Sequence, residues 1–278
     1  MEAKLISLDD FVLTGGGYNG ESYDHKTDPS IMLKLYFQGK IEQPLSELIL
    51  AKKVYSLGIP SPEPGEYVVT PDGRYGILFH KIKDKKSYAR ACGDNPGDVA
   101  RYAGEFAGMC KILHSTHVDV TAFENVKDRY YKLLEDNPFF TTAQKDKIAR
   151  FISDAPDDDT AIHGDLQFGN IIFTPEGKRY FIDLGDFCYG YNLVDIGMIY
   201  LCCILNEDSV LRDTYHMEPE TAVRFWECFA PAYFGQDRPL SDINELIRPY
   251  AGIKTLVVER DSLRPMAEFR AALDTILA

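Results

Sequence analysis

The chain has 278 residues, is 45% hydrophobic and 26% charged, and carries a formal net charge of −13 with a sequence pI near 4.9. Such a length and composition describe a globular protein large enough for one big domain or two lobes, and the acidity excludes nonspecific binding to DNA, RNA or an anionic membrane face. No apolar run approaches a membrane span and Met1-Glu2-Ala3-Lys4 opens no apolar leader, so the expectation is a cytoplasmic protein with neither membrane nor nucleic-acid partners. The six cysteines form no C-x-x-C pair and no zinc-ligand spacing, which points to core thiols in a reducing compartment and not to a structural metal.

The first eighty residues read as a small β-rich lobe. Alternating or clustered apolar residues predict strands at about Leu5 to Leu13, Glu21 to Lys26 and Ser30 to Phe37. Between the first two runs lies Gly15-Gly16-Gly17-Tyr18-Asn19-Gly20, formally G-x-G-x-x-G but in a strand-to-strand position. That placement disfavours a dinucleotide fold and suits a loop whose bare backbone can fold over phosphates, with a glycine-rich hairpin turn as the plainer alternative. In the third strand, Lys34 is a lone charge within Ile31-Met32-Leu33-Lys34-Leu35. Period two puts it on the face of Met32 and Tyr36, so it is either a functional cation or a solvated lysine of the outer face.

Apolar residues at Leu45, Leu48, Ile49, Val54 and Leu57 predict a helix from Gln43 to Leu57, ended by Gly58 and Pro60. Glu47 lies on it, while Glu42 precedes Pro44 and falls at or outside its start. Tyr67 to Thr70 and Tyr75 to Phe79 flank Pro71-Asp72-Gly73, a strong hairpin signal. Phe79-His80-Lys81-Ile82 then leaves the sheet, and Lys83 to Pro96 reads as a polar connector. From Gly97 the period becomes helical: Val99, Tyr102, Ala103, Phe106, Met109, Cys110 and Leu113 make one apolar stripe ending at His114, read as a structural histidine. Further helices are expected near Asn125 to Glu135 and Thr141 to Asp154, before the acidic turn at Pro156 to Asp159.

The densest chemistry follows, in His163-Gly164-Asp165-Leu166-Gln167-Phe168-Gly169-Asn170 and then Tyr180-Phe181-Ile182-Asp183-Leu184-Gly185-Asp186. An Asp and an Asn separated by four residues match the kinase catalytic pattern H-R-D-x-x-x-x-N with Gly164 in place of the Arg. In a tight loop Asp165 can face an acceptor hydroxyl while Asn170 brings its amide oxygen toward a metal on the nucleotide phosphates. Asp183, at the end of the apolar strand Tyr180 to Ile182, supplies a second carboxylate. Asp186-Phe187-Cys188 also looks like D-F-G with Cys for Gly, which makes Asp186 a competitor that is better read as bracing the next loop.

On these residues the chain resembles the aminoglycoside phosphotransferase-like (APH and choline kinase type) small-molecule kinases, whose signature is H-G-D-x-x-x-x-N followed by I-D-x-G-D. The resemblance implies an α+β, protein-kinase-like two-lobed fold with a small β-rich N-lobe over residues 1–80, a hinge over 81–96 and a helical C-lobe over 97–278 that holds the catalytic loop and the acceptor pocket. It implies Asp165 as the catalytic carboxylate and Asn170 and Asp183 as magnesium ligands. It also implies a nucleotide site from Gly15, Gly17, Gly20, Lys34 with its partner Glu47, and the hinge residues Phe79 and Lys81. The donor would be ATP, with GTP open, and the acceptor a small-molecule hydroxyl. Asp195 in Gly190-Tyr191-Asn192-Leu193-Val194-Asp195-Ile196-Gly197 matches a buried helix start that braces the catalytic loop. The remaining segments, about Asp195 to Leu205, Pro219 to Phe234, Leu240 to Val258 and Arg260 to Leu277, read as helices. Residues 191–278 hold fourteen Asp and Glu against eight Lys and Arg, which lifts an amine-bearing acceptor modestly. A catalytically silent nucleotide-binding scaffold and, with no A-P-E motif, a protein kinase stand as the alternatives.

Overall fold

The computed structural model describes residues 2–17 and 19–278, so Tyr18 of the glycine-rich segment lies outside the described residues. The chain divides into two compact units, Met1–Lys86 with Ile172–Gly185, and Ser87–Ile171 with Asp186–Ala278.

The first unit is built on a six-stranded sheet of β1 (Lys4–Leu5), β2 (Phe11–Gly16), β3 (Gly20–His25), β4 (Ile31–Tyr36), β5 (Pro64–Val69) and β6 (Tyr75–His80), in the order β1-β5-β6-β4-β3-β2. The single strand expected from Leu5 to Leu13 is thus two strands. A 3-10 turn at Leu8–Asp10 separates them, because the Ser7 hydroxyl accepts the Asp9 N–H at 3.2 Å and starts a turn at the acidic pair. Along β4 the alternation sorts the side chains cleanly. Leu33 and Leu35 pack with Phe11 and Val68 on one face, and Tyr36 packs with Tyr67, Ile77 and Leu48 on the other. Leu48 belongs to helix α1 (Glu42–Ser56), so Lys34, two residues before Tyr36, is on the helix side of the sheet. Glu42 lies within the first turn of α1, exposed, and not outside it. The hairpin between β5 and β6 closes at the expected turn with Gly73 N–H on the Thr70 carbonyl at 2.9 Å. The strand Arg179–Phe181 returns to this unit through its Phe181 N–H, which donates to Pro60 O at 2.8 Å.

The second unit is helical: α2 (Tyr88–Asp94), α3 (Val99–His114), α4 (Val126–Asp136), α5 (Thr142–Asp154), α6 (Leu193–Tyr200), α7 (Asp208–Asp213), α8 (Pro219–Phe234), α9 (Leu240–Ile253) and α10 (Thr255–Ser262), followed by short turns at Ala267–Arg270 and Asp274–Leu277. The predicted stripe of α3 is buried throughout and packs on α8. At that contact Phe106 meets Tyr88 and Phe225 edge-on, each at 5.5 Å between ring centroids, and Phe229 at 6.0 Å.

Four stretches depart from the sequence reading. Residues read as polar connector contain α2, started by the Ser87 hydroxyl and burying Tyr88, Ala89, Ala91 and Cys92. The helix expected to run to Leu205 changes to a π turn at Leu201–Leu205, and α7 follows where no helix was expected. The helix expected to run to Val258 breaks at Lys254, between α9 and α10. Beyond α10, Leu263 takes the left-handed conformation at φ 54° and Pro265 follows, which divides the stretch read as helical from Arg260 to Leu277 into the end of α10 and short turns. Among the described residues no helix is long and apolar enough to cross a membrane.

Trp226 is the only tryptophan, fully buried in α8 with Tyr200 edge-on at 5.0 Å, so its fluorescence reports on the second unit alone. Phe106→Ala empties the centre of the aromatic cluster and is expected to cost that unit about 3–5 kcal/mol, read as a lower urea midpoint of the Trp226 transition.

Candidate active site

In the first unit, Lys34 is the centre of a charge cluster. Its ammonium donates to Glu47 Oε1 at 2.7 Å and Oε2 at 3.0 Å, and to Asp183 Oδ1 at 2.8 Å. Burial works against the charge on Lys34, but the carboxylates of Asp183 and Glu47 outweigh it and raise its pKa. Glu47 is buried at 7% exposure, and it is held in turn by a short hydrogen bond from the Tyr36 hydroxyl. Desolvation and the Glu47 carboxylate push the Tyr36 phenol far above its ordinary range, so it is a permanent donor to that carboxylate. Asp183 follows the strand Arg179–Phe181 in the left-handed conformation at φ 59°, rare for a residue other than glycine, and a 3-10 turn begins at the next residue. That backbone bend turns Asp183 toward Lys34.

These groups line a cavity of about 260 Å³. Its apolar wall comes from Met32, Ala51, Phe79, Ile82, Ile182 and Leu184, and its backbone wall from Gly16, Gly17 and Gly20. The glycine segment is a tight turn in which the Gly17 N–H donates to Gly20 O at 2.8 Å. Gly20 has no alternative: a Cβ there would sit 2.2 Å from the Leu35 carbonyl oxygen. Gly15 is inside β2, paired with Ser22 after a register shift, and does not line the cavity, whereas Gly16 does. Phe79 lines it but Lys81 does not. The Lys81 N–H is spent on Ser30 O at 2.7 Å, and its ammonium pairs with Asp24 at 2.5 Å.

In the second unit, the loop from His163 to Asn170 is held by buried charge. Asn170 donates through Nδ2 to the Asp165 carbonyl at 2.8 Å and to Asp165 Oδ2 at 3.0 Å, which leaves its amide oxygen directed away from those two acceptors. Gly164 is left-handed at φ 86°, and a Cβ would meet the Asp186 carbonyl oxygen at 1.9 Å, so this position admits glycine alone. Asp195, fully buried near the start of α6, accepts the His163 N–H at 2.7 Å, the Gly164 N–H at 3.0 Å and His114 Nε2 at 3.2 Å. His114 is oriented from its other side by the Tyr233 hydroxyl at 2.8 Å. Lys254 completes the set, donating to Gly164 O at 2.6 Å. Asp186 faces elsewhere, with its carboxylate 4.0 Å from Arg129, whose guanidinium also bonds the Asp186 carbonyl.

A family model described as the phosphotransferase enzyme family, APH, matches residues 11–224, a stretch that contains Lys34, Glu47, Asp165, Asn170 and Asp183. The chain belongs to the APH phosphotransferase family. It is a small-molecule phosphotransferase with a kinase-like fold. Among solved structures, it is similar to a thermostable mutant of aminoglycoside phosphotransferase APH(4)-Ia in ternary complex with AMP-PNP and hygromycin B, with a TM-score of 0.67, 11% identity and coverage of 96% of this chain and 93% of that one. Aminoglycoside phosphotransferase APH(3'')-Id from Streptomyces rimosus gives 0.58 at 17% identity, covering 88% and 92%, and choline kinase LicA from Streptococcus pneumoniae gives 0.56 at 12% identity, covering 97% and 94%. No curated protein matches the sequence at a significant level.

The sequence reading of this phosphotransferase gave no role to Tyr36 or Lys254, and covered Gly16 and Ile82 only as members of the 15–20 and 79–82 segments. Tyr36 was signalled by its place two residues beyond Lys34 on one strand face. Lys254 carried the same signal as Lys34, a lone cation in the apolar run Ile253-Lys254-Thr255-Leu256-Val257-Val258.

Burial raises the Asp195 pKa, but the His114 hydrogen bond and charge, together with Lys254 and His163, lower it further, so it settles below the ordinary carboxylate value. A depressed folded pKa stabilises fully above the unfolded value of about 4 and is lost as pH falls through the folded one. Asp195→Asn is therefore expected to lower the urea midpoint of the Trp226 transition by a constant amount at neutral pH, with the gap to wild type closing progressively below about pH 4. A gap that persists undiminished at low pH would show that the Asp195 charge contributes nothing.

Proposed function

We propose that this phosphotransferase moves the γ-phosphoryl of ATP, or alternatively GTP, to a hydroxyl of a small amine-bearing molecule of the aminoglycoside or amino-alcohol type. The observation that carries the reading is the Lys34 ammonium, held by Glu47 and Asp183 on the wall of an apolar cavity beside a glycine turn. An apolar slot suits a purine ring, a fixed ammonium suits the α- and β-phosphates, and bare backbone amides suit the rest of the phosphate chain. Ile82, the residue after Lys81, lines the cavity and is the hinge residue this reading uses. The acceptor class is supported by the excess of Asp and Glu in residues 191–278 and by the amine-bearing ligands named for similar folds, hygromycin B and choline.

In this reading Glu47 fixes Lys34 and Tyr36 fixes Glu47. Asp165 orients the acceptor hydroxyl and takes its proton. Asn170 and Asp183 offer an amide oxygen and a carboxylate, hard donors that fit magnesium and not a softer metal. Magnesium, when bound, supplies charge neutralisation at the phosphates. Because phosphoryl transfer has a loose transition state, the residues contribute by placement and electrostatics more than by covalent chemistry.

The test incubates the protein with magnesium and ATP or GTP against a pooled panel of aminoglycosides, amino alcohols, hydroxy amino acids and sugars, with mass spectrometry reading the gain of one phosphoryl group. Asp165→Asn is expected to lower kcat by about 10²–10⁴-fold while nucleotide affinity holds. Asp183→Ala is expected to abolish magnesium-dependent nucleotide binding. Undiminished turnover by Asp165→Asn would overturn the assignment, and nucleotide binding with no product from any acceptor would favour a silent nucleotide-binding protein.

A further inference from the structure

Lys254 is 2% exposed, and its ammonium donates to a backbone carbonyl, Gly164 O, at 2.6 Å. Removing an ammonium from water costs several kcal/mol even after relaxation, and one carbonyl does not repay it. The groups that face it from the packed elements are Tyr130 of α4, whose ring centroid is 5.8 Å away, Asp195 of α6, Asp165 in the loop, Cys188 in the strand before α6, and Cys202 in the π turn. Burial opposes the charge, and Tyr130 and Asp195 restore it, so Lys254 remains a cation with a raised pKa. A methionine would fill the same space without that desolvation.

Beside its hydrogen bond with Tyr130, its contact with Gly164 O falls on the peptide that carries Asp165. Upstream of that peptide, the N–H groups of His163 and Gly164 are held by Asp195. The peptide itself has its N–H 3.4 Å from His163 Nδ1 and its carbonyl on Lys254. Gly164 offers no side chain to grip, so at this residue the loop is held through its main chain. The break between α9 and α10 delivers Lys254 to this point, with the Lys254 N–H on Ala251 O at 3.2 Å. This residue lies outside the 11–224 stretch matched by the family model, so that match assigns it nothing.

We propose that Lys254 is a positioning residue, a buried cation that orients Asp165 through the Gly164 carbonyl. The role rests on Asp165 being the catalytic carboxylate. Full-length Lys254→Met and Lys254→Ala test it by two independent measurements. The first is amide hydrogen exchange, in which residues 163–166 are expected to exchange about tenfold faster while α9 and α10 stay protected. The second is turnover, in which kcat is expected to fall about 10²-fold with nucleotide affinity unchanged. Propylammonium added to Lys254→Ala is expected to restore both protection and turnover, whereas propanol of the same length is not. Unchanged exchange at residues 163–166 in both variants, or equal rescue by propanol, would overturn the proposal. Should the wild type phosphorylate no acceptor, the Asp165 reading fails by itself, and the exchange measurement still decides whether Lys254 holds the loop.

Discussion

A charge removed from water must be met by opposite charge or by several hydrogen bonds, or the fold loses several kcal/mol at that point. In the first unit the requirement is set by Lys34 on β4, and meeting it recruits α1 through Glu47, which Tyr36 of the same strand also holds, and the 172–185 segment through Asp183. In the second unit it is set by Asp195, and meeting it recruits α3 through His114 and the 163–170 loop through two backbone N–H groups. Each buried charge therefore also fixes the register of elements far apart in sequence. Lys34 and Asp183, separated by 149 positions in sequence, are bridged by a 2.8 Å contact that no local preference could have set.

This division explains what could be read from the chain beforehand. The stripe of α3 was legible because 3.6-residue periodicity is a local property and the helix buries one face along its whole length. The HGD and IDLGD segments stood out because the kinase-type chemistry they resemble uses particular residue types at fixed spacing. Lys34 was visible as a charge in an apolar strand, but which face it used depended on where α1 packs, and that is a tertiary fact. Lys254 offered the same pattern inside a predicted helix, where a lone lysine is ordinarily solvated, and only the break between α9 and α10 reveals it as buried. Lys81 was placed at the cavity by counting along a strand. The structure spends its N–H on Ser30 instead, and it is Ile82 that lines the cavity. At the C-terminal end, the stretch read as helical from Arg260 to Leu277 is interrupted at Leu263 and Pro265.

The acidity of the chain and its binding of a polyanion are reconciled at the scale of single groups. At a formal −13 the long-range field repels phosphates, but over distances beyond about 8–10 Å that field is largely screened at physiological salt. What a phosphate meets on the cavity wall is the ammonium of Lys34, with Lys85 as a second cation. Even there acids outnumber cations, since Glu21, Glu47 and Asp183 also line it and Lys34 is itself paired with Glu47 and Asp183. Glu47 is buried and tied to Tyr36, so it cannot leave. Asp183 is about half exposed and held by Lys34. A phosphate that claims Lys34 must therefore take it from Asp183, and the carboxylate so released needs a cation of its own. An oxygen-seeking dication is the group that satisfies both the phosphate and Asp183 at once, which is the physical reason for expecting nucleotide and magnesium to bind as a pair.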